Sequence, residues 1–269
     1  MNVRAASTSG PVDCPATLGG VLACFVRFPS PQILIAATVA SLAARISIGG
    51  LTPGDALVAL AIVAFWPFQE WLIHVFILHY RPVTFLGGSF DFPVPQSHRA
   101  HHRDPWDIPL LFIPTHVFLY AIPIQLAFWL LVMPTQALAT SGPAVYFFLT
   151  LHDEWVHFLV HTRYRPRSRL YDRLWRNHRL HHFKNESYWY GVTMLTGDRL
   201  LGTAPEVKLA PTSSTCRTLG ETVDTPRYPL RWSAVDDEPP APGPVGLPRG
   251  DLGLGRKQPL RARLRHPVR

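Results

Sequence analysis

Residues 55–79 read DALVALAIVAFWPFQEWLIHVFILH. The stretch is almost entirely apolar and ends in two histidines, His74 and His79. A membrane helix needs about 20 apolar residues to cross a hydrocarbon core of roughly 30 Å. Pro67 lies inside the stretch, and membrane helices tolerate an internal proline better than soluble helices do. We therefore predict that this segment spans a membrane and brings its histidines to one membrane surface.

Three further apolar segments lie at residues 31–48, 109–133 and 143–161. The segment at 109–133 is also long enough to span a membrane, whereas the other two are marginal. Together the four segments predict an all-α, polytopic membrane protein with about four transmembrane helices. A soluble helical core is the alternative, but such cores rarely contain unbroken apolar stretches of about 25 residues.

The loops predict the orientation. Residues 49–54 and 134–142 contain no Lys or Arg, whereas the loop before segment 109–133 carries Arg81, Arg99 and Arg103, and a basic block follows His161. Positively charged loops stay in the cytoplasm. We therefore expect a multi-pass protein with both termini in the cytoplasm, together with a helical cap that carries most of the histidines.

The net charge of +8 does not indicate a nucleic-acid partner. Seven Arg and one Lys lie between Arg163 and Lys184 against a single acid, Asp172, and this block directly follows an apolar segment. That placement is typical of a basic cluster beside a membrane, and no nucleic-acid-binding motif accompanies it. The three cysteines are too few and too scattered for a disulfide scaffold, so we expect reduced thiols.

The composition divides the chain into three parts. Residues 1–30 form a mixed N-terminal segment that we expect in the cytoplasm, and residues 31–205 form the membrane-embedded domain. Residues 206–269 are rich in Pro and Arg, which predicts a disordered tail.

Histidines provide the strongest functional signal, because 12 of the 13 lie between His74 and His182. They form four motifs in order, HVFILH, HRAHH, HFLVH and HRLHH. On a helix, positions i, i+3 and i+4 share one face, so each HxxHH motif presents three imidazoles together. His74 and His79 are about 140° apart on an ideal helix, so this pair requires the helix to distort or end near His79.

Ten imidazoles exceed the needs of one metal ion, and two ions would receive about five ligands each. Imidazole suits Fe, Zn, Cu and Ni alike, so the ligand type does not select the metal. We interpret His116 and His152 as ordinary packed or hydrogen-bonded histidines. The predicted metal ligands are His74, His79, His98, His101, His102, His157, His161, His178, His181 and His182.

The motif order HX4H, HX2HH, HX3H, HX2HH resembles the fatty acid hydroxylase and sterol desaturase superfamily, and is most similar to its fatty acid hydroxylase branch. The resemblance covers about residues 55–205, and GVTMLTGDRLLGT looks like the family's closing segment. It implies a four-helix membrane domain whose cytoplasmic cap carries a di-iron centre. It also implies O2-dependent hydroxylation or desaturation of a lipid. All ten motif positions are filled, but the chain has no HPGG-type haem segment of a fused cytochrome b5-like domain.

This resemblance predicts a non-haem di-iron oxygenase that uses O2 to hydroxylate an aliphatic C–H of a lipid, with a fatty acyl chain as the expected substrate. Zinc can replace iron during purification, because zinc binds nitrogen sites more tightly than Fe²⁺. The expected partners are the membrane, the lipid substrate and an external electron donor, either a ferredoxin or a cytochrome b5-type protein with its reductase. Two alternatives remain: a sterol or carotenoid hydroxylase or desaturase, and a membrane protein that binds or transports metal without catalysis.

Two acids are candidates for supporting the metal ligands. Glu70 lies one helical turn before His74, and Asp153 lies one turn before His157. Carboxylates commonly orient imidazoles bound to a metal, and a carboxylate within a membrane segment needs a partner or a function. The aromatic residues Trp189 and Tyr190 could line a substrate entrance, but we favour a position at the membrane interface.

Overall fold

The computed structural model describes residues 16–220, with the exception of residues 87 and 166. Over these residues the chain is mostly helical, which confirms the helical class that the sequence predicts. The helices are α1 (Leu18–Phe25), α2 (Pro29–Ile48), α3 (Pro53–Ile73), α4 (Pro93–Arg103), α5 (Phe118–Val132), α6 (Gln136–Val160), α7 (Arg169–Phe183) and α8 (Thr196–Leu200). A short antiparallel hairpin of β1 (Val83–Phe85) and β2 (Gly88–Phe90) is the one departure within the described residues.

Three helical stretches are long and apolar enough to cross a membrane. They are Pro29–Ile48, Pro53–Leu78 and Ile108–Val132, with 20, 26 and 25 residues. Their surfaces are apolar: Leu57 is 68% exposed and Leu131 is 85% exposed. Large exposed apolar surfaces of this kind mark contact with a lipid or a partner. The stretches therefore support a membrane protein and coincide with three of the four predicted segments.

The fourth predicted segment, 143–161, corresponds to the second part of the 25-residue helix α6 and its C-cap His161, and it is not one of these three stretches. Its second half carries Asp153 and Glu154 as well as the histidines, which lowers its mean hydropathy. Helix α6 packs against α2, α3 and α5. The fourth span therefore stays a prediction, although the helix itself is present and lies against the other three.

Close packing joins α6 to its neighbours. Leu34 of α2, Phe118 of α5 and Phe147 of α6 form one buried cluster. Gly142 of α6 lies against the indole of Trp129 of α5, where an added Cβ would come within 2.2 Å of the ring. Membrane helices associate through such close contacts at small residues, because lipid provides no hydrophobic drive between them.

A buried ion pair joins α2 to the end of α3 that lies away from the histidines. Arg45 of α2 binds Asp55 in the first turn of α3 at 2.6 Å, and it is 2% exposed. Its Nε also donates to Ser141 of α6 at 3.0 Å, and its two terminal nitrogens donate to backbone carbonyls of Gly49 and Gly50 at 2.9 Å. The arginine that interrupts the first apolar segment is thus fully paired, as a buried charge must be.

The part of residues 1–30 that the structure describes contains α1 and the start of α2. The side chain of Thr17 caps α1, and Val21 and Phe25 of this helix pack on Phe158 of α6. Cys24 is disulfide-bonded, so the expectation of a reduced thiol is wrong for this residue. Residues 1–15 of the predicted N-terminal segment lie outside the described residues.

Residues 206–220 pack on the domain, although the sequence assigns them to the tail. The carbonyl of Lys184 accepts from the backbone N–H of Ser213 at 2.8 Å, and Arg217 donates to the carbonyl of Arg103 at 2.8 Å. Leu219 is 4% exposed. The boundary at residue 205 is therefore too early, because contacts with α4 and α7 continue beyond it. The rest of the predicted tail, 221–269, lies outside the described residues.

Candidate metal centre

Four elements carry the ten predicted ligands. The end of α3 supplies two, α4 supplies three, α6 with its C-terminal cap supplies two, and α7 supplies three. Eight of the ten are buried, and His79 and His157 are half-buried. Helices α4 and α7 carry the two HxxHH motifs, so each presents its three imidazoles on one face, as the spacing predicts.

The helix at the end of α3 distorts as the spacing of His74 and His79 requires. Residues His74–Leu78 form one π-helical turn, and the backbone N–H of His79 donates to the carbonyl of His74 at 3.0 Å. A π turn has an i→i+5 bond, so it places residues five apart above one another. The two imidazole rings lie 4.9 Å apart between their centroids.

The ten histidines separate into two groups of five, and within each group the ring nitrogens that could bind metal lie within 4.8 Å of one another. We call them the first group, which consists of His74, His79, His98, His102 and His181, and the second group, which consists of His101, His157, His161, His178 and His182. Metal–nitrogen bonds of about 2.1 Å would separate ligand atoms by at most roughly 4.2 Å. The nitrogens of each group are thus close to coordinating distance, and five per group is the number expected for two ions.

The ring nitrogens are arranged as a metal would require. In the second group, Nε2 of His101 lies 3.1 Å from Nε2 of both His157 and His182. In the first group, all five Nε2 atoms are buried without a hydrogen-bond partner. An unpaired buried polar atom costs about 1–3 kcal/mol, so native proteins rarely leave one unsatisfied. Five such atoms turned toward one point fit a metal ion.

Backbone carbonyls accept from the opposite side of four of these rings, at 2.7–2.9 Å. The pairs are His74 Nδ1 with Tyr190 O, His181 Nδ1 with Tyr188 O, His102 Nδ1 with Cys216 O, and His157 Nδ1 with Leu111 O. A carbonyl only accepts, so Nδ1 must carry the hydrogen and Nε2 keeps its lone pair. Such contacts fix both the tautomer and the ring orientation of a metal ligand.

Burial keeps the imidazoles of α4 and α7 uncharged. It lowers the pKa of His102 to about 3, and it is also the main cause of the lowered pKa of the other histidines of these helices, His98, His101, His178, His181 and His182. Neighbouring histidines lower the pKa of several of them further. A neutral imidazole is the form that binds a metal. At pH 7 these rings are therefore in their ligand form.

The two predicted supporting acids bind groups other than the imidazoles. Glu70 accepts from the backbone N–H groups of Val192, Thr193 and Met194 at 3.2–3.3 Å. The carboxyl group of Asp153 interacts with that of Glu70. The Nδ1 atoms bond to carbonyls instead, so any support from these acids is indirect, and their role stays a prediction.

Tyr190 contacts histidines of the first group. Its ring centroid lies 5.3 Å from those of both His74 and His181. Trp189 and Tyr190 are 3% and 8% exposed, so their expected position at the membrane interface is wrong. Burial also raises the pKa of the Tyr190 hydroxyl to about 12. Trp189 has a φ of +58°, an unusual conformation for a bulky residue.

The two remaining histidines of this region lie outside both groups. His116 is exposed on a 3₁₀ turn, and His152 is half-buried with its Nε2 3.5 Å from the hydroxyl of Tyr171. Nothing in the sequence marks the four carbonyl acceptors, because every residue has a carbonyl and no side chain distinguishes these ones. The sequence alone therefore located the imidazoles but not the groups that orient them.

The fold and the site together define an α-helical protein with membrane-length apolar helices and two histidine groups able to hold metal ions. The sequence profile described as fatty acid hydroxylase matches residues 59–203. This match covers more than half of the 269 residues. The chain therefore belongs to the fatty acid hydroxylase family, which confirms the resemblance of its histidine motifs.

Individual proteins agree with this assignment. The chain is 28% identical over 163 residues to a dihydroceramide fatty acyl 2-hydroxylase of Arabidopsis thaliana, a match that covers 60% of this chain and 66% of that protein. A second Arabidopsis protein of the same description is 24% identical over 204 residues, which cover 76% and 84% of the two chains. The solved structure of full-length scs7p, in which only the hydroxylase domain is visible, shares the fold. Its TM-score is 0.56 at 21% identity, with 68% of each chain covered.

Proposed function

We propose that this chain is a membrane-bound, O2-dependent di-iron enzyme that hydroxylates an aliphatic C–H bond of a lipid, with a fatty acyl chain as its substrate. The observation that carries the proposal is the pair of five-histidine groups, whose ring nitrogens lie within 4.8 Å of one another. The family membership and the names of the two Arabidopsis relatives support a fatty acyl substrate, and position 2 of the acyl chain is the first to test.

In this proposal, each histidine group holds one iron ion through Nε2 lone pairs. No side chain is basic enough to deprotonate an aliphatic C–H bond, so a pair of irons would be needed to activate O2, with electrons from the external reductant. The protein contributes the geometry: carbonyls hold four of the rings from behind, and burial keeps the imidazoles of α4 and α7 neutral. The same burial excludes bulk water from the centre.

We place the centre at the cytoplasmic end of the membrane helices. His74 and His79 end the second membrane-length stretch, and the loop after them is basic, whereas residues 49–54 at the other end of α3 carry no Lys or Arg. An acyl chain can then enter from the bilayer while a soluble reductant approaches from the aqueous side. Sidedness in this proposal rests on the charge of the loops.

The reductant, an acidic ferredoxin or a cytochrome b5-type protein, would dock on the arginine-rich segment that leads into α7 and continues along its first half. Six arginines are exposed there, and they are Arg163, Arg165, Arg167, Arg169, Arg173 and Arg176. From this face a stack leads inward: the guanidinium of Arg179 lies 4.2 Å from the ring of Trp175 and 5.2 Å from that of Trp106. Trp106 in turn lies 6.0 Å from His161 of the second group. Complementary charge speeds such encounters.

The test is lipid analysis under ¹⁸O2. Membranes containing the protein, iron, and a ferredoxin or cytochrome b5 system with its reductase should yield fatty acyl lipids that gain one ¹⁸O atom by mass spectrometry. The variant His101→Ala should lose this product because it removes a ring of the second group, and His116→Ala should retain it because His116 lies outside both groups.

Other outcomes would assign the chain differently. A label found in sterols or carotenoids but not in acyl chains would favour the alternative substrates. Metal accumulation across the membrane without any labelled product would favour a transporter. Equal labelling in His101→Ala and the unaltered protein would refute the proposed centre.

A further inference from the structure

Two buried glutamates precede a histidine of each group by about one helical turn. Glu70 lies four residues before His74 of the first group, and Glu154 lies three residues before His157 of the second. Glu70 is 9% exposed and Glu154 is 2% exposed. Residues at these spacings share one face of a helix, so each glutamate faces the same neighbouring segment as its histidine.

Glu70 and His74 hold the same loop. The backbone N–H groups of Val192, Thr193 and Met194 donate to the two carboxylate oxygens of Glu70 at 3.2–3.3 Å, and the hydroxyl of Thr193 donates as well. Two residues before Val192 in the chain, the carbonyl of Tyr190 accepts from His74 Nδ1 at 2.7 Å. The carboxylate of Glu70 thus holds the backbone segment whose carbonyl, that of Tyr190, accepts from His74.

Glu154 repeats the arrangement in the second group. Its Oε1 accepts from the backbone N–H of Ile113 at 2.8 Å and from the hydroxyl of Ser30 at 2.5 Å. Two residues before Ile113, the carbonyl of Leu111 accepts from His157 Nδ1 at 2.9 Å. In both groups, a glutamate therefore binds N–H groups about two residues away from the carbonyl that orients the histidine.

We infer that Glu70 and Glu154 are positioning residues, each of which acts on one histidine group through a backbone segment, so that each controls the retention of one metal ion. Acceptors behind a metal-bound histidine typically change metal affinity about 10- to 100-fold when they are lost. The inference rests on the proposed metal centre, but it does not depend on hydroxylation.

Leucine variants test the effect of Glu70 on the first group separately from the effect of Glu154 on the second. Glu70→Leu and Glu154→Leu keep a side chain of similar size and remove the acceptor oxygens. Each is combined with a ligand variant that empties the opposite group: His161→Ala leaves an ion in the first group, and His98→Ala leaves an ion in the second. Zinc-loaded protein in detergent is then mixed with a chelator, and the release of the remaining ion is timed.

With His161→Ala, Glu70→Leu should speed zinc release about tenfold or more, and Glu154→Leu should leave it unchanged. With His98→Ala, Glu154→Leu should speed zinc release and Glu70→Leu should leave it unchanged. Glu154→Gln should restore slow release, because the one oxygen that accepts, Oε1, is preserved. If Glu70→Leu does not fold, Thr193→Val removes one donor to Glu70 and should speed release from the first group alone.

Asp55→Asn is the control for general destabilisation, because Asp55 is a buried acid of the same helix as Glu70 but lies at its other end. It should change neither release rate. The inference is wrong if either leucine variant speeds zinc release from both groups alike. It is also wrong if neither variant changes the release rate of the group that its glutamate is inferred to control. Failure of the unaltered protein to bind two zinc ions would refute the metal centre itself, whereas selective release without lipid hydroxylation would refute only the proposed reaction.

Discussion

A chain that ends after Ala210 lacks the carbonyl that orients one histidine of the first group. Residues 211–220 supply this carbonyl from Cys216, which accepts from His102 Nδ1 at 2.8 Å. The truncation also removes Thr215, whose hydroxyl donates to the buried Glu186 at 2.5 Å. We predict that the truncated protein binds the ion of the first group more weakly and keeps the ion of the second.

The size of the effect follows from the burial of His102, which is 1% exposed. A buried N–H left without a partner costs about 1–3 kcal/mol. Since 1.4 kcal/mol corresponds to a factor of ten, the metal affinity of the first group should fall by about 5- to 150-fold. Removal of the segment also admits water, which can replace the lost acceptor. We therefore expect a loss near the lower end of this range, about tenfold.

Competition with a zinc chelator measures this loss in detergent-solubilised protein. The matched control is a chain that ends after Gly220, which keeps the contacts of residues 211–220 with the rest of the described chain and should behave as the full chain. The reasoning is refuted if the chain ending at Ala210 releases both ions at the rates of the control. Loss of both ions together would equally contradict it, because the second group has no contact with Cys216 in the hydrogen bonds of the described residues.

Two further changes test the groups and the packing around them. His181→Ala removes a first-group ligand, so elemental analysis should find one zinc ion per chain instead of two. The control His116→Ala should keep two ions. Two ions in both variants would contradict the division into groups. Gly197→Ala places a Cβ 2.3 Å from the carbonyl oxygen of the proline inside α3, so α8 must shift and the free energy of unfolding should fall by about 1–3 kcal/mol. The control is Gly19→Ala in α1, where an added Cβ meets open space; it should leave thermal unfolding unchanged or raise stability by up to about 1 kcal/mol. Equal unfolding temperatures for Gly197→Ala and Gly19→Ala would show that α8 adjusts freely.

The predictable parts of this protein depend on local spacing. Apolar length predicted the membrane-length helices, and the three- and four-residue spacings placed three imidazoles on one face of α4 and of α7. The five-residue spacing of His74 and His79 even indicated a helix distortion, which the structure contains as a π turn. Each of these signals lies within one element of the chain.

The features that could not be predicted depend on contacts between distant segments. Residues 206–220 resemble a tail by composition, yet Ser213 and Arg217 bond to the backbone near the ends of α7 and α4. Trp189 and Tyr190 resemble interfacial aromatics, yet the carbonyl of Tyr190 is bound by His74 and both side chains are buried. Composition describes what a segment could do in isolation, whereas these residues are held by partners far away in the chain.

The acceptors behind four of the histidine rings are backbone carbonyls, and this affects which substitutions the site tolerates. A carboxylate that orients a histidine must be retained as a residue, but the carbonyl at Cys216 or Tyr188 is present whatever side chain occupies the position. What the site requires there is a fixed backbone, and side chains such as Glu70, Glu154 and Glu186 provide this by binding the neighbouring N–H or hydroxyl groups. If the inference above is correct, a substitution of one of these buried acids should disturb the imidazole more than a substitution at the position that supplies the carbonyl. Glu154, rather than the adjacent Asp153, accepts from the segment behind His157, a distinction that depends on which acid of α6 faces Ile113 and that spacing from the histidine could not decide.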